Sequence, residues 1–222
     1  MSMLAIRAIE EAGLMVGDPG LSRVTTPEWT VFLNRAARTM ARRMRLVERE
    51  AYFDTAVDDL YAMPADCIQI KWLRYNPTPS TPETEYKLVE MVQDEWDDVS
   101  QRTLASGDPR KYLPRQGMFH LYPKPATAIV NAGHICYWGM PDAITNPNTQ
   151  NIPFADFLFD TLVEGMVVNG LKKLEKFEAA AARKIEWEES LVFDRDKMED
   201  RSEDRRPNMM TGSRRRGYDG QA

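Results

Sequence analysis

Residues 26–47 read TPEWTVFLNRAARTMARRMRLV. Trp29, Phe32, Leu33, Ala36, Ala37, Met40, Met44 and Val47 recur at the spacing of one helix face. Arg35, Arg38, Arg42, Arg43, Arg45 and Arg49 fall on the opposite face. Thr26 is read as the N-cap, Pro27 as the first helical residue, and Glu28 faces the positive end of the helix dipole. The stretch predicts a long amphipathic helix with an arginine-rich outer side.

Beyond this helix, proline divides the chain. Eleven of the 14 prolines lie between Pro64 and Pro153, and the flanks 28–63 and 154–206 have none. Proline removes a helical hydrogen bond and clashes with the preceding turn, so long helices belong to the flanks. The expected fold class is α+β: a long-helix bundle scaffold, an inserted small antiparallel β-sheet and an extended C-terminal tail. The expected divisions are 1–50 and 153–204 for the scaffold, 51–152 for the insert and 205–222 for the tail.

Before the quoted stretch, Met3 to Met15 forms a short amphipathic helix, with Leu4, Ile6, Ala8, Ile9, Ala12 and Met15 opposite Glu10 and Glu11. Gly17, Asp18, Pro19 and Gly20 close it. In the insert, DCIQIKWL at 66–73 alternates so that Ile68, Ile70 and Trp72 share one strand face. NPTPSTPETE at 76–85 is an exposed loop, 86–92 reads as a strand, and Trp96 anchors the segment after it. GDPRKY at 107–112 is turn chemistry, and MFHLYP at 118–123 and HICYW at 134–138 are short aromatic strands. MPDAITNPNTQN at 140–151 is a second polar loop. Together these predict three to five strands.

The last third returns to helical spacing, opening at Pro153 with Phe154, Phe157, Leu158, Thr161, Leu162, Met166 and Val167. Asn169-Gly170 either ends that helix or loosens it. Leu171, Leu174, Phe177, Ala181, Ile185 and Leu191 continue the apolar pattern toward Met198. As one helix, 154–203 would span about 75 Å at ~1.5 Å per residue. Residues 186–204 carry nine acids and three bases, whereas 205–222 carry five arginines and one acid. That tail has no apolar periodicity and is expected to be disordered alone.

The chain has 222 residues, 43% hydrophobic and 28% charged, with a net charge of -5, two His and two Cys. Two cysteines, Cys67 and Cys136, cannot staple a chain this long, so a disulfide scaffold is excluded. No apolar run approaches the roughly 18 residues of a spanning helix. Acidic residues interrupt the first segment, which makes a poor signal peptide, and a reduced folding environment in the cytoplasm is the expectation. Cys67, His120, His134 and Cys136 are the candidate metal ligands, and His134-x-Cys136 is a spacing found in some sites. Core or sheet-surface positions are the simpler reading. No nucleophile elbow or phosphate-cradling glycine loop is present. No catalytic residue, cofactor or metal is expected.

Several short stretches in fixed order carry a resemblance: Trp29-x-x-Phe32-Leu33-Asn34-Arg35-Ala36, then Leu60-Tyr61-x-x-Pro64-x-Asp66 before a strand. Gly107-Asp108-Pro109-x-x-Tyr112, Leu121-Tyr122-Pro123-x-Pro125, Tyr137-Trp138 and Ile152-Pro153 before a long helix complete it. Over about 29–190 this order resembles the head-to-tail adaptor (connector, or head-completion) proteins of tailed bacteriophages, tail-tubular-protein-A-like gatekeepers in particular. The resemblance implies a virion structural protein at the head–tail junction, made in the host cytoplasm and needing no membrane. It implies a homo-oligomeric ring of twelve subunits below the portal protein, contacting a tail or nozzle protein. Genomic DNA would pass its lumen without sequence-specific binding. It also implies a portal-binding role for the tail residues Arg205, Arg206, Met209, Met210, Arg214, Arg215, Arg216 and Tyr218. An inter-subunit face is expected where Arg35, Arg38, Arg42 and Arg45 meet the acidic segment at Glu186 and Glu189. The alternative reading is a ring-forming DNA-handling protein of phage packaging, small-terminase-like, using the arginine face on duplex.

Overall fold

A computed structural model describes residues 3–100 and 105–204, with side chains to Met198. Among these residues the fold is α+β, with five α-helices and eight strands. The helices are α1 (Ala5–Val16), α2 (Thr26–Met44), α3 (Gln93–Ser100), α4 (Phe159–Lys173) and α5 (Phe177–Asp204). The strands are β1 (Val47–Thr55), β2 (Leu60–Ala62), β3 (Cys67–Tyr75), β4 (Tyr86–Lys87), β5 (Val89–Glu90), β6 (Lys111–Arg115), β7 (Met118–Tyr122) and β8 (Ile129–Gly139).

The helix around Trp29 forms, with its ends shifted. Thr25, not Thr26, is the N-cap, and the Glu28 carboxylate accepts from the Thr25 amide at 2.9 Å and its hydroxyl at 3.1 Å. This reciprocal box satisfies donors that a helix start leaves open. At the other end α2 stops at Met44, where Arg45 turns left-handed at φ 53°. Val47 and Arg49 therefore lie on β1 rather than on the helix. From Val47 burial alternates, with Val47, Arg49, Ala51 and Phe53 half-buried and Glu48, Glu50, Tyr52 and Asp54 exposed, which is strand periodicity.

Helix α4 packs against α1, α2 and α5. Their shared core takes Ile9 and Ala12 from α1, Trp29, Leu33 and Met40 from α2, Leu162 and Met166 from α4, and Trp187 and Leu191 from α5. Two indoles fit because α4 supplies glycine where they press closest. A Cβ on Gly170 would lie 2.4 Å from Trp29, and one on Gly165 would lie 2.6 Å from Trp187. Asn169-Gly170 does not end the helix; it makes the seat for Trp29. The helical spacing over 154–203 resolves into two helices, α4 and α5. Its first turns are irregular and 3₁₀ up to Leu158, so Pro153 and Phe154 precede the helix. A break at Leu174–Lys176, with Glu175 at φ 60°, then lets α5 pack on α4.

The expected single sheet is two. One runs β1-β8-β3-β4 and the other β2-β7-β6-β5. Pairing is antiparallel except between β5 and β6. The turn expected at 107–112 ends inside strand β6. The sheets enclose a common core of Ile70, Leu73, Tyr75, Ile135 and Tyr137 with Tyr112, Phe119 and Leu121. Phe53 reaches across to Tyr61 and Phe119. Trp72 does not share a face with Ile70, because the β3–β8 register shifts between them. An extra residue in one strand sends the following side chains to the other face. Trp96 of α3 covers the second sheet from outside, packing with Met91 and Leu113.

The 140–151 loop ties the sheets to the helices. Pro141, Ile144 and Pro147 are buried at every third position, the period of an extended polyproline-like segment. Asn34 of α2 grips its backbone twice, donating to the Ile144 carbonyl and accepting from the Ile144 amide, each at 2.8 Å. The loop therefore packs against the helical core despite its polar composition.

Candidate functional site

Helix α2 places Arg35, Arg38 and Arg42 in a shallow cleft with Val31, Asn34 and Thr39. Their buried counterparts Trp29, Leu33, Ala36, Ala37 and Met40 lie on the opposite side of the same helix. At 100° per residue, Val31, Arg35, Arg38 and Arg42 form one stripe centred away from the core. Arg35 reaches Asn169 of α4 at 3.3 Å. Among the described residues no carboxylate pairs with Arg35, Arg38 or Arg42. Arg45, expected on this face, is instead the left-handed residue that closes the helix.

Helix α5 has the same two-sided build with opposite charge. Its inward residues are Ala180, Trp187, Leu191 and Asp194. Asp194 accepts a buried hydrogen bond from the Thr161 hydroxyl of α4 at 2.5 Å. The inward stripe expected through Phe177, Ala181 and Ile185 points outward instead, since Phe177 and Ile185 are exposed. Ile185, Glu188, Glu189, Val192, Phe193 and Asp196 together line an open groove along the outer face. Glu186 lies beside it, paired with Arg183 at 3.0 Å, and Glu188 pairs with Lys184 at 3.6 Å. Glu189 has no partner among the described residues. The i, i+7 and i+11 spacing of Ala180, Trp187 and Leu191 was the available signal for the inward face.

The tail residues Arg205, Arg206, Met209, Met210, Arg214, Arg215, Arg216 and Tyr218 lie outside the described residues.

The four candidate metal ligands do not converge. His120 sits on β7, 2.8 Å from Asp59 and under the Trp96 ring. Cys67 opens β3 at the far end of the first sheet from His134. His134 and Cys136 do share a face, joined by Glu48 and Glu50 of β1. The Cys136 thiol donates to Glu48 at 3.1 Å, and Lys71 holds the other Glu48 oxygen at 2.8 Å. Burial, with Glu48 beside it, pushes the Cys136 thiol up to about 12. A metal takes a thiolate, so a thiol kept protonated and donating is a sheet-surface hydrogen bond. His134 bonds Glu85 at 3.1 Å and stacks on Tyr52. The sheet-surface reading fits this face.

Most charges on the sheets are answered within the chain. Arg49 bridges Asp66 at 3.1 Å and Asp142 at 2.8 Å, and the Tyr137 hydroxyl donates to Asp66 at 3.0 Å. Arg74 pairs with Glu85, and Lys111 with Glu95. The outer faces of α2 and α5 are the contrast, with cations on one and acid-rimmed apolar side chains on the other.

These features describe an α+β protein with a row of exposed arginines on α2 and exposed apolar side chains set among acids on α5. Residues 3–216 match the model of the SU10 adaptor protein family, and the chain belongs to that family. It is a family of bacteriophage structural adaptors at the virion head–tail junction, where an adaptor meets portal and tail components and oligomerises. No curated protein matches the chain. No helix among the described residues is long and apolar enough to cross a membrane.

Proposed function

We propose that this chain assembles as a ring below the portal, in the manner of tail-tubular-protein-A-like gatekeepers, and continues the DNA channel into the tail. Twelve subunits would close it, with helices as the stiff wall and the sheets and their loops turned to neighbouring proteins. Family membership over 3–216 supports the adaptor role. The observation that carries the ring is the unpaired arginine face of α2 on a chain whose α5 presents acids. Arg35, Arg38, Arg42 and Arg45 then meet Glu186 and Glu189 of a neighbour. An acidic chain, net -5, suits a conduit because it does not hold phosphate as DNA slides.

The tail residues Arg205 to Tyr218 reach the portal in this reading, where a basic segment orders on its partner. The test mixes the full chain with its portal and images the product. A ring stacked on the portal supports the proposal. Free portal rings alone would reject it. Deleting 205–222 should abolish capture, and retained capture would remove the tail from the account while leaving the ring. The arginines of α2, without carboxylate partners among the described residues, also favour a second reading, duplex handling of the small-terminase kind. That reading requires salt-sensitive DNA retention lost on Arg38→Glu with Arg42→Glu; no retention at low salt would dispose of it.

A further inference from the structure

Two exposed helix stripes match: among the described residues Arg38, Arg42 and Glu189 have no ionic partner, whereas Glu188 pairs with Lys184, Asp196 with Arg195, and Lys197 lies 4.3 Å over the Phe193 ring. On α5, Ile185, Val192 and Phe193 are 61%, 51% and 60% exposed, and on α2, Val31 is 55% exposed. Each stripe covers eleven residue steps, Val31 to Arg42 and Ile185 to Asp196, about 16 Å at ~1.5 Å per residue. The α2 stripe begins with Val31 and continues with Arg35, Arg38 and Arg42. The α5 stripe sets Ile185, Val192 and Phe193 among Glu188, Glu189 and Asp196. Arginine stems cover apolar surface while their guanidinium groups reach carboxylates or aromatic faces. Length, charge and apolar content are therefore complementary.

Within one chain α2 and α5 approach through Arg43, which lines a pocket with Glu188, Leu191 and Val192, and not through Val31, Arg35, Arg38 or Arg42. Helix α2 turns Leu33, Ala37 and Met40 inward, and α5 turns Trp187, Leu191 and Asp194 inward, against the same α4 layer. In each helix the stripe lies on the side opposite those residues.

We infer that the outer stripe of α5, Ile185–Val192–Phe193 with Glu189, seats on the outer face of α2, Val31–Arg35–Arg38–Arg42, of a second copy of this chain. The inference rests on the ring reading above and specifies its contact. The contact is a helix-on-helix seam with an apolar centre, and ion pairs form its margin. Each copy uses a different patch on its two sides, the heterologous geometry that propagates into a ring when the rotation closes. Glu186, held by Arg183 of its own chain at 3.0 Å, stands at the margin of the seam, where the arginines of the neighbour reach it.

The experiment uses two full-length variants, Val192→Asp with Phe193→Asp, and Arg35→Glu with Arg38→Glu and Arg42→Glu. Self-association is followed by analytical ultracentrifugation across the accessible concentration range, and circular dichroism confirms folding. Wild type should form oligomers, and each variant alone should associate at least about a hundredfold more weakly, as loss of a central aromatic anchor does. Mixed together, the variants retain one intact pair of stripes and should stop at a heterodimer. Oligomers that persist in the stripe variants would overturn this seam while leaving a ring built through other surfaces. A wild type that stays monomeric throughout would also overturn it. Portal capture by the monomeric Val192→Asp, Phe193→Asp variant reads the adaptor role separately, so the two can fail independently.

Discussion

The helical layer and the paired sheets solve the same packing problem in opposite ways. In the sheets, aromatic rings from both sides fill the centre, as with Phe53, Tyr61 and Phe119. Outer charges there are tied into local pairs such as Arg49–Asp66 and Lys71–Glu48. In the helices, bulk is concentrated in two indoles seated on glycines; α5 keeps Ile185, Val192 and Phe193 exposed, and α2 keeps Arg35, Arg38 and Arg42 without a carboxylate partner among the described residues. The difference bears on where a partner can bind. A charge already satisfied by its own sheet gains little from a neighbour, whereas an unpaired one on a stiff helix gains more.

Mutation can test that contrast. The largest effect is expected from Trp29→Ala, which empties a fully buried indole site and should destabilise by about 3–5 kcal/mol in urea denaturation. A loss under about 1 kcal/mol would mean the helical core does not depend on that seat. Gly170→Ala attacks the seat from the other side. Its added methyl meets the Trp29 ring, so overpacking of about 1–3 kcal/mol is expected, and Trp29 fluorescence should shift. Thr161→Val removes the donor to buried Asp194 and should cost about 1–3 kcal/mol, with near-isosteric packing preserved.

Acid probes the helical layer without mutation. Burial alone would raise Asp18, but amide bonds from Ser22, Arg23 and Val24 outweigh it and hold the carboxyl at about 2. The Thr25 amide, then Lys173, hold Glu28 at about 2 as well. Both folded values lie below the ordinary 3.8 and 4.5, so their contribution is complete above about pH 4.5. It is lost as pH falls through about 2. Asp18→Asn should flatten the dependence of stability on pH between about 4.5 and 2 without changing the response above it. An unchanged acid limb would remove Asp18 from the account. The smallest effect is expected on the sheet surface, where Lys71→Ala should change stability by less than about 1 kcal/mol, its pair with Glu48 being half-exposed. A larger loss would show that sheet charges carry more than local order.

Legibility in the sequence tracks the range of the interactions. Trp29, Leu33 and Met40 announced their helix because a helix closes its hydrogen bonds within four residues. The aromatic runs at 118–122 and 134–138 announced strands because alternation is also local. The break at Glu175 was not legible: leucines and alanines continue across it, and only packing of α5 back onto α4 requires the turn. Trp72 was assigned to the wrong face because a register shift depends on β8, more than sixty residues away. Of the candidate interface, the α2 arginines were readable from their spacing. Val192 and Phe193 were not, since an apolar residue on a helix looks the same whether it faces a core or a neighbour.

The mixed α+β class, the helix around Trp29, the arginine spacing on α2 and the charge split between residues 186–204 and 205–222 were set by sequence. Only the folded chain settled that the middle makes two sheets, that Gly165 and Gly170 receive indoles, and which side of α5 is turned outward. Local periodicity selects an element through interactions a few residues apart. Which face of that element is buried depends on whichever distant segment covers it, and no short window of sequence contains both partners.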